Sequence, residues 1–100
     1  MLFDFANLGF VAVVLGKNGK IKNAWVFGSF ARNQESPDSD VDILFNFKKG
    51  MSFGVLEMSG VVSALEKLLG RDVDFIKEDA LLPFAKEMAE QEKILIYGNQ

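Results

Sequence analysis

The chain has 100 residues, 49% of them apolar and 25% charged, enough for one domain (1–100) around one hydrophobic core. A net charge of −3 argues against a broad nucleic-acid groove, which needs clustered Lys and Arg, yet permits a nucleotide whose phosphates a metal neutralises. With no Cys, disulfides, thiol nucleophiles and zinc–thiolate sites are excluded, and with no His a general base has to be a carboxylate, a lysine or the tyrosine.

The first segment, Leu2 to about Leu15, fits two patterns. Leu8, Val11, Val14 and Leu15 follow a helix period, while the run Phe10–Leu15 suits a buried strand equally well, with Asn18-Gly19 able to turn a hairpin into Ile21. That run is far too short to span a bilayer, and no basic stretch of a signal peptide precedes it, so a cytoplasmic location without membrane contact is expected. A strand follows over about Ile21 to Phe27, then a short helix from Ser29 to about Asn33. The loop Gln34–Ser39 is rich in turn formers. A second strand covers Asp40 to Phe47.

After the turn at Lys48-Lys49-Gly50, apolar residues recur at Val55, Met58, Val61, Val62, Leu65, Leu68 and Leu69. This is the stripe of an amphipathic helix, with Ser52 as N-cap and Gly70 closing it. A third strand runs from Asp72 to Ile76. A last helix, about Pro83 to Glu92, begins on a proline suited to a first turn, and a short strand Ile94–Tyr97 ends the series. The order gives an α/β (α+β) domain: a small mixed sheet with helices packed mainly on one face. Ten phenylalanines are a rich supply for this length; most should be core, with some left for a partner-binding surface.

The chemistry concentrates between Gly28 and Asp42. Asp40 and Asp42 alternate with apolar residues and so point the same way from the second strand, an arrangement costly to bury and suited to a hard divalent cation. Ten residues upstream, Gly28-Ser29 ends the first strand. Glycine lets the backbone approach a phosphate closely, and a helix starting there would favour negative charge. Either pair alone is commonplace, since Asp-x-Asp usually marks a solvated turn. Both together, each attached to an apolar strand, describe a site for a metal-bound polyphosphate. A third acid is available at Asp72 or Asp74, which share a strand face. The bland reading of that acid is a strand-edge carboxylate bridging a Lys or Arg.

The spacing Gly-Ser-x10-Asp-x-Asp resembles the signature of the nucleotidyltransferase superfamily built on the DNA polymerase β palm. The fuller string Trp25-Val-Phe-Gly-Ser-Phe-Ala-Arg32 with Asp38-Ser-Asp-Val-Asp-Ile-Leu44 resembles the minimal nucleotidyltransferase (MNT) family, antitoxin partners of HEPN toxins. The resemblance covers essentially the whole chain. It implies a helix before the first strand, and it selects Asp74, in its Val-Asp-hydrophobic setting, as the third acid. It further implies that Asp40, Asp42 and Asp74 hold Mg²⁺ or Mn²⁺ and that Asp74 serves as general base. Gly28 and Ser29 would grip the phosphates of ATP. Arg32 is the one cation in the motif and is as easily a solvated residue as a phosphate ligand; Lys48, Lys49 and Lys77 are weaker candidates. The family usually places Gly after Ala-Arg, where this chain has Asn33, a residue that tolerates left-handed angles.

The activity implied is transfer of AMP from ATP to a hydroxyl, most directly a tyrosine of a helical HEPN-domain toxin. Larger relatives carry a helical second domain for the acceptor, for which 100 residues leave no room. Two other readings stand beside it: the catalytic subunit of a split small-molecule (aminoglycoside-type) nucleotidyltransferase, and an antitoxin that acts by binding alone. An idle cluster of acids would be destabilising by repulsion, which weighs against the last.

Overall fold

The computed structural model describes residues 5–32, 34 and 36–99. Its first element is a helix, α1 (Phe5–Gly16), which resolves the ambiguity of the opening segment. Val11 and Leu15, one turn apart, are buried, while Phe10 and Val13 on the other side are exposed. With apolar side chains on both sides, the period alone could not separate helix from strand. Residues 2–4 of that expected segment lie outside the described residues.

Strand β1 (Ile21–Phe27) pairs antiparallel with β2 (Val41–Phe47), so that Phe27 faces Asp42 at one end. Asp40, expected inside the second strand, stands just before it. Helix α2 (Val55–Leu69) shows the stripe read from the sequence, with Val61, Leu65 and Leu69 buried. Its N-cap is Gly54 rather than Ser52. Glu57 does the capping: its carboxylate accepts the Gly54 N–H at 3.2 Å and also holds Lys20 at 2.8 Å. Gly70 closes the helix in the left-handed conformation, as expected.

Strand β3 (Val73–Lys77) starts one residue later than expected and runs parallel to β2, with Asp74 opposite Asp42. A short 3₁₀ turn at Glu78–Ala80, which no sequence pattern announced, leads to α3 (Pro83–Glu92) and to β4 (Ile94–Tyr97). The sheet order is β3-β2-β1-β4.

Strand alternation divides the core in two. Ala24, Val26, Val41, Ile43, Phe45 and Val73 pack on one face with α1 and α2. Trp25 and Leu44 point to the other face, where Ala89 of α3 covers them. The helices therefore lie mainly on one face, with α3 alone on the other. Lys93, just beyond α3, sits 4.0 Å over the Trp25 ring and is paired with Glu78 and Glu90. Burial alone would pull its ammonium down; the hydrogen bonds and charges of the two glutamates outweigh that and leave it above the ordinary lysine range.

The phenylalanines divide as composition suggested. Phe45 and Phe75 stack at 4.1 Å between centroids, Phe47 and Phe53 meet edge to face, and Phe30 is buried, while Phe10 and Phe84 face solvent. Among the described residues no helix is long and apolar enough to cross a membrane.

Candidate active site

Everything the motif singled out gathers at one end of the sheet, where β1 finishes and β2 and β3 begin. Parallel pairing with Asp42 opposite Asp74 puts two carboxylates side by side on the α3 face. They lie within hydrogen-bonding reach of each other. The Asp42 carboxyl is raised from the ordinary 3.8 to about 6, first by burial, then by the charge of Asp74, the hydrogen bond with Asp74, and the charge of Asp40. Arg32 acts on it in the opposite sense. Four motif residues thus share one electrostatic environment. Asp72, the alternative third acid, is exposed just before β3, and its backbone carbonyl accepts the Val41 N–H at 2.9 Å.

Gly28 completes the floor. Its φ of +74° is one that L side chains rarely adopt, and a Cβ there would run into Oδ2 of Asp42. Glycine is required on both counts, and the backbone of the turn lies directly against the acid. The short helix expected from Ser29 is absent. Residues 28–32 instead form a turn, closed by Arg32 N–H to the Gly28 carbonyl at 3.2 Å and by Gln34 N–H to the Ser29 carbonyl at 2.8 Å. One turn of backbone cannot sum to a helix dipole, so any attraction for phosphate comes from the local N–H groups. Ser29 is half-buried within the turn. Asn33 lies outside the described residues.

Arg32 has a partner that sequence reading missed. Its Nη1 donates to both carboxylate oxygens of Glu92, at 2.9 and 3.0 Å, and its Nε to Gln34. The ion pair joins the turn to the C-terminal end of α3 across 60 residues, and no local pattern could signal it. Lys48 and Lys49 lie past the far end of β2, roughly 20 Å from Asp42 at the rise of a strand, while Lys77, roughly 10 Å along β3 from Asp74, pairs with Asp79 and sits over the Phe47 ring.

Among the described residues no three acids already converge as a metal cage. The donor set nonetheless fits a hard cation: all its ligands are oxygens, and the mutual repulsion that raises Asp42 is the kind a divalent ion relieves. Asp42 and Asp74 face each other across the strand pair, and Asp40, just before β2 and exposed like Asp74, lies in electrostatic reach of Asp42.

A mixed sheet with paired acids at its strand ends beside a Gly-Ser turn defines a nucleotidyltransferase. The family model described as polymerase beta, nucleotidyltransferase matches residues 11–100, and the chain belongs to that family. A Methanocaldococcus jannaschii protein, provisionally named a protein adenylyltransferase, is 38% identical over 74 residues, which is 74% of this chain and 76% of that protein. In structure the chain is similar to one in a toxin–antitoxin complex with AMP-PNP, with TM-score 0.78 and 19% identity over 94% of this chain and 75% of that one. It is also similar to one in a Shewanella oneidensis complex described as tri-AMPylated HEPN toxin with MNT antitoxin, with TM-score 0.71 and 18% identity over 95% of this chain and 72% of the other. At those identities the two structures establish the fold.

Proposed function

We propose that this chain is a metal-dependent protein adenylyltransferase that moves AMP from ATP to a tyrosine hydroxyl of a helical HEPN-type partner, acting as its antitoxin. The observation that carries the reading is the facing pair Asp42 and Asp74, set against Gly28 with Asp40 and Arg32 in electrostatic reach. The name of the M. jannaschii relative and the AMPylated toxin in the S. oneidensis complex support the choice of acceptor.

Asp40, Asp42 and Asp74 would hold Mg²⁺ or Mn²⁺, which supplies charge neutralisation for the triphosphate and the departing pyrophosphate. The N–H groups of the Gly28-Ser29 turn and the Ser29 hydroxyl bind the β- and γ-phosphates. Asp74 takes the proton of the acceptor hydroxyl as that oxygen bonds to the α-phosphorus. The bond from the α-phosphorus to the bridging oxygen breaks in line, and pyrophosphate leaves. Arg32, oriented by Glu92, adds positive charge at the rim.

The test is co-expression with the HEPN-type neighbour and intact mass measurement of that neighbour. A gain of one or more AMP groups, lost in Asp42→Asn, is the expected result. An unmodified partner in a complex that adenylylates a small alcohol or sugar would instead favour the split small-molecule enzyme. A complex that transfers to neither would leave an antitoxin that works by binding.

A further inference from the structure

Asp40 and the Gly28-Ser29 turn belong to segments that the sheet itself does not fix, since both lie outside β1 and β2. One side chain touches both segments. Nη1 of Arg71 donates to the carbonyls of Ser36 at 2.7 Å, Ser39 at 3.1 Å and Pro37 at 3.3 Å. The same guanidinium lies 5.0 Å from the centre of the Phe30 ring. Phe30 is 1% exposed and adjoins Ser29, and Ser39 adjoins Asp40.

We propose that Arg71 is a positioning residue for nucleotidyl transfer, whose guanidinium locks the 36–39 loop onto Phe30 and so fixes Asp40 relative to the phosphate-binding turn. Its own base is rigid. Gly70 before it is the left-handed cap of α2, and the Asp72 carbonyl after it accepts the Val41 N–H. Within the loop, the Ser36 N–H donates to Oγ of Ser39 at 2.8 Å, which helps hold the carbonyls of Ser36, Pro37 and Ser39 within reach of one guanidinium nitrogen. A planar guanidinium can serve several carbonyls while lying on an aromatic ring; an ammonium cannot stack in that way. The contacts of Arg71 are backbone carbonyls and an aromatic ring, which act on Asp40 by holding the loop in place.

The inference rests on the transferase reading above, and its test separates the two. Arg71→Gln and Arg71→Lys would be made in the full chain and studied with the partner. Five quantities are read: amide exchange at residues 36–41, Mn²⁺ binding by electron paramagnetic resonance, kcat and KM for ATP in transfer, and Tm. For R71Q the expected result is at least tenfold faster exchange in the loop with the strands unchanged, and about tenfold weaker Mn²⁺ binding. The kcat should fall roughly 10–100-fold at a Tm within a few degrees of wild type. R71K should recover part of each loss, and it decides the matter alone if R71Q does not fold. Wild-type loop exchange and Mn²⁺ affinity in a folded variant would overturn the proposal. So would losses that spread through the sheet in step with Tm, or failure of both variants to fold, since Arg71 would then serve stability in general. If the wild-type complex transfers nothing, the transferase reading fails, while loop exchange and Mn²⁺ binding still decide the role of Arg71.

Discussion

Asp42 pays an electrostatic penalty for being charged, and the penalty has a definite pH window. Its carboxyl is raised from 3.8 to about 6, so the folded chain binds this proton more tightly than the unfolded chain does. Stability from this group is therefore full below about pH 4, falls as the pH rises towards about 6, and stays at the lower level above. Solvent screening at a half-exposed site limits the effect to about 1 kcal/mol. Asp42→Asn should then melt on the order of 5 °C higher than wild type at pH 7.5 in metal-free buffer, with the gap closing at pH 4. Thermal melts of both proteins at both pH values check this; an equal gap at the two would exclude ionisation as its cause. The same variant should transfer at a rate lower by orders of magnitude. Asp74 carries a sharper test, because Asp72 shared its strand face in the sequence. Asp74→Asn should lose transfer by a comparable factor while Asp72→Asn keeps most of it, as single-turnover rates would show. The reverse result would make Asp72 the acting acid. At this scale Asp42 was legible because a carboxylate inside an apolar strand is costly to bury, while Asp40 and Asp74, both exposed, were legible only through the motif. Arg71 and Glu92 were not, because their partners are distant in the chain and ordinary surface charges look the same.

Elements follow the same logic of local against distant causes. The period of α2, the cap at Gly70 and the proline opening α3 are local signals, and each was legible. The placement of α3 on the face opposite α1 and α2 was not, since it depends on Trp25 and Leu44 needing cover from Ala89. The helix expected after Gly28 failed for a related reason. A positive φ at Gly28 and the turn-forming loop to Pro37 leave room for one closed turn only. That turn is held by backbone geometry, which makes Gly28 its most sensitive position. Gly28→Ala should cost about 1–2 kcal/mol for the left-handed conformation alone. The added methyl also pushes on the Asp42 carboxylate. Transfer should therefore fall further than stability accounts for, by more than tenfold per folded molecule. Denaturant unfolding paired with initial rates measures both. A variant that is destabilised yet fully active would show that the turn does not have to press against Asp42.

The whole molecule presents the paired acids and uncovered apolar surface together. Leu82, Phe84 and Met88 of α3 and its approach are exposed, and α3 lies on the face of the sheet that carries Asp42 and Asp74. Phe10 and Val13 of α1, with Val55 and Leu56 at the start of α2, expose more on the other side. Among the described residues nothing in the Gly28–Asp42 site encloses an acceptor, and an acceptor hydroxyl has to reach the α-phosphate in line for transfer to occur. A helical partner seated on the α3 side would bury apolar surface and bring the acceptor to the acids in one contact. The composition hinted at this through its phenylalanines, but which of them would be exposed depended on the packing of the two faces. If α3 is the docking surface, Phe84→Glu with Met88→Glu should weaken the complex with the HEPN-type partner at least tenfold while leaving nucleotide binding intact. Analytical sizing of the mixed proteins, with calorimetric titration of Mg·ATP into the variant alone, reads the two effects separately. The corresponding pair Phe10→Glu and Val13→Glu on α1 serves as the comparison. If only the α1 pair breaks the complex, the partner sits on the face away from the acids, and the acceptor would have to enter past the rim near Arg32.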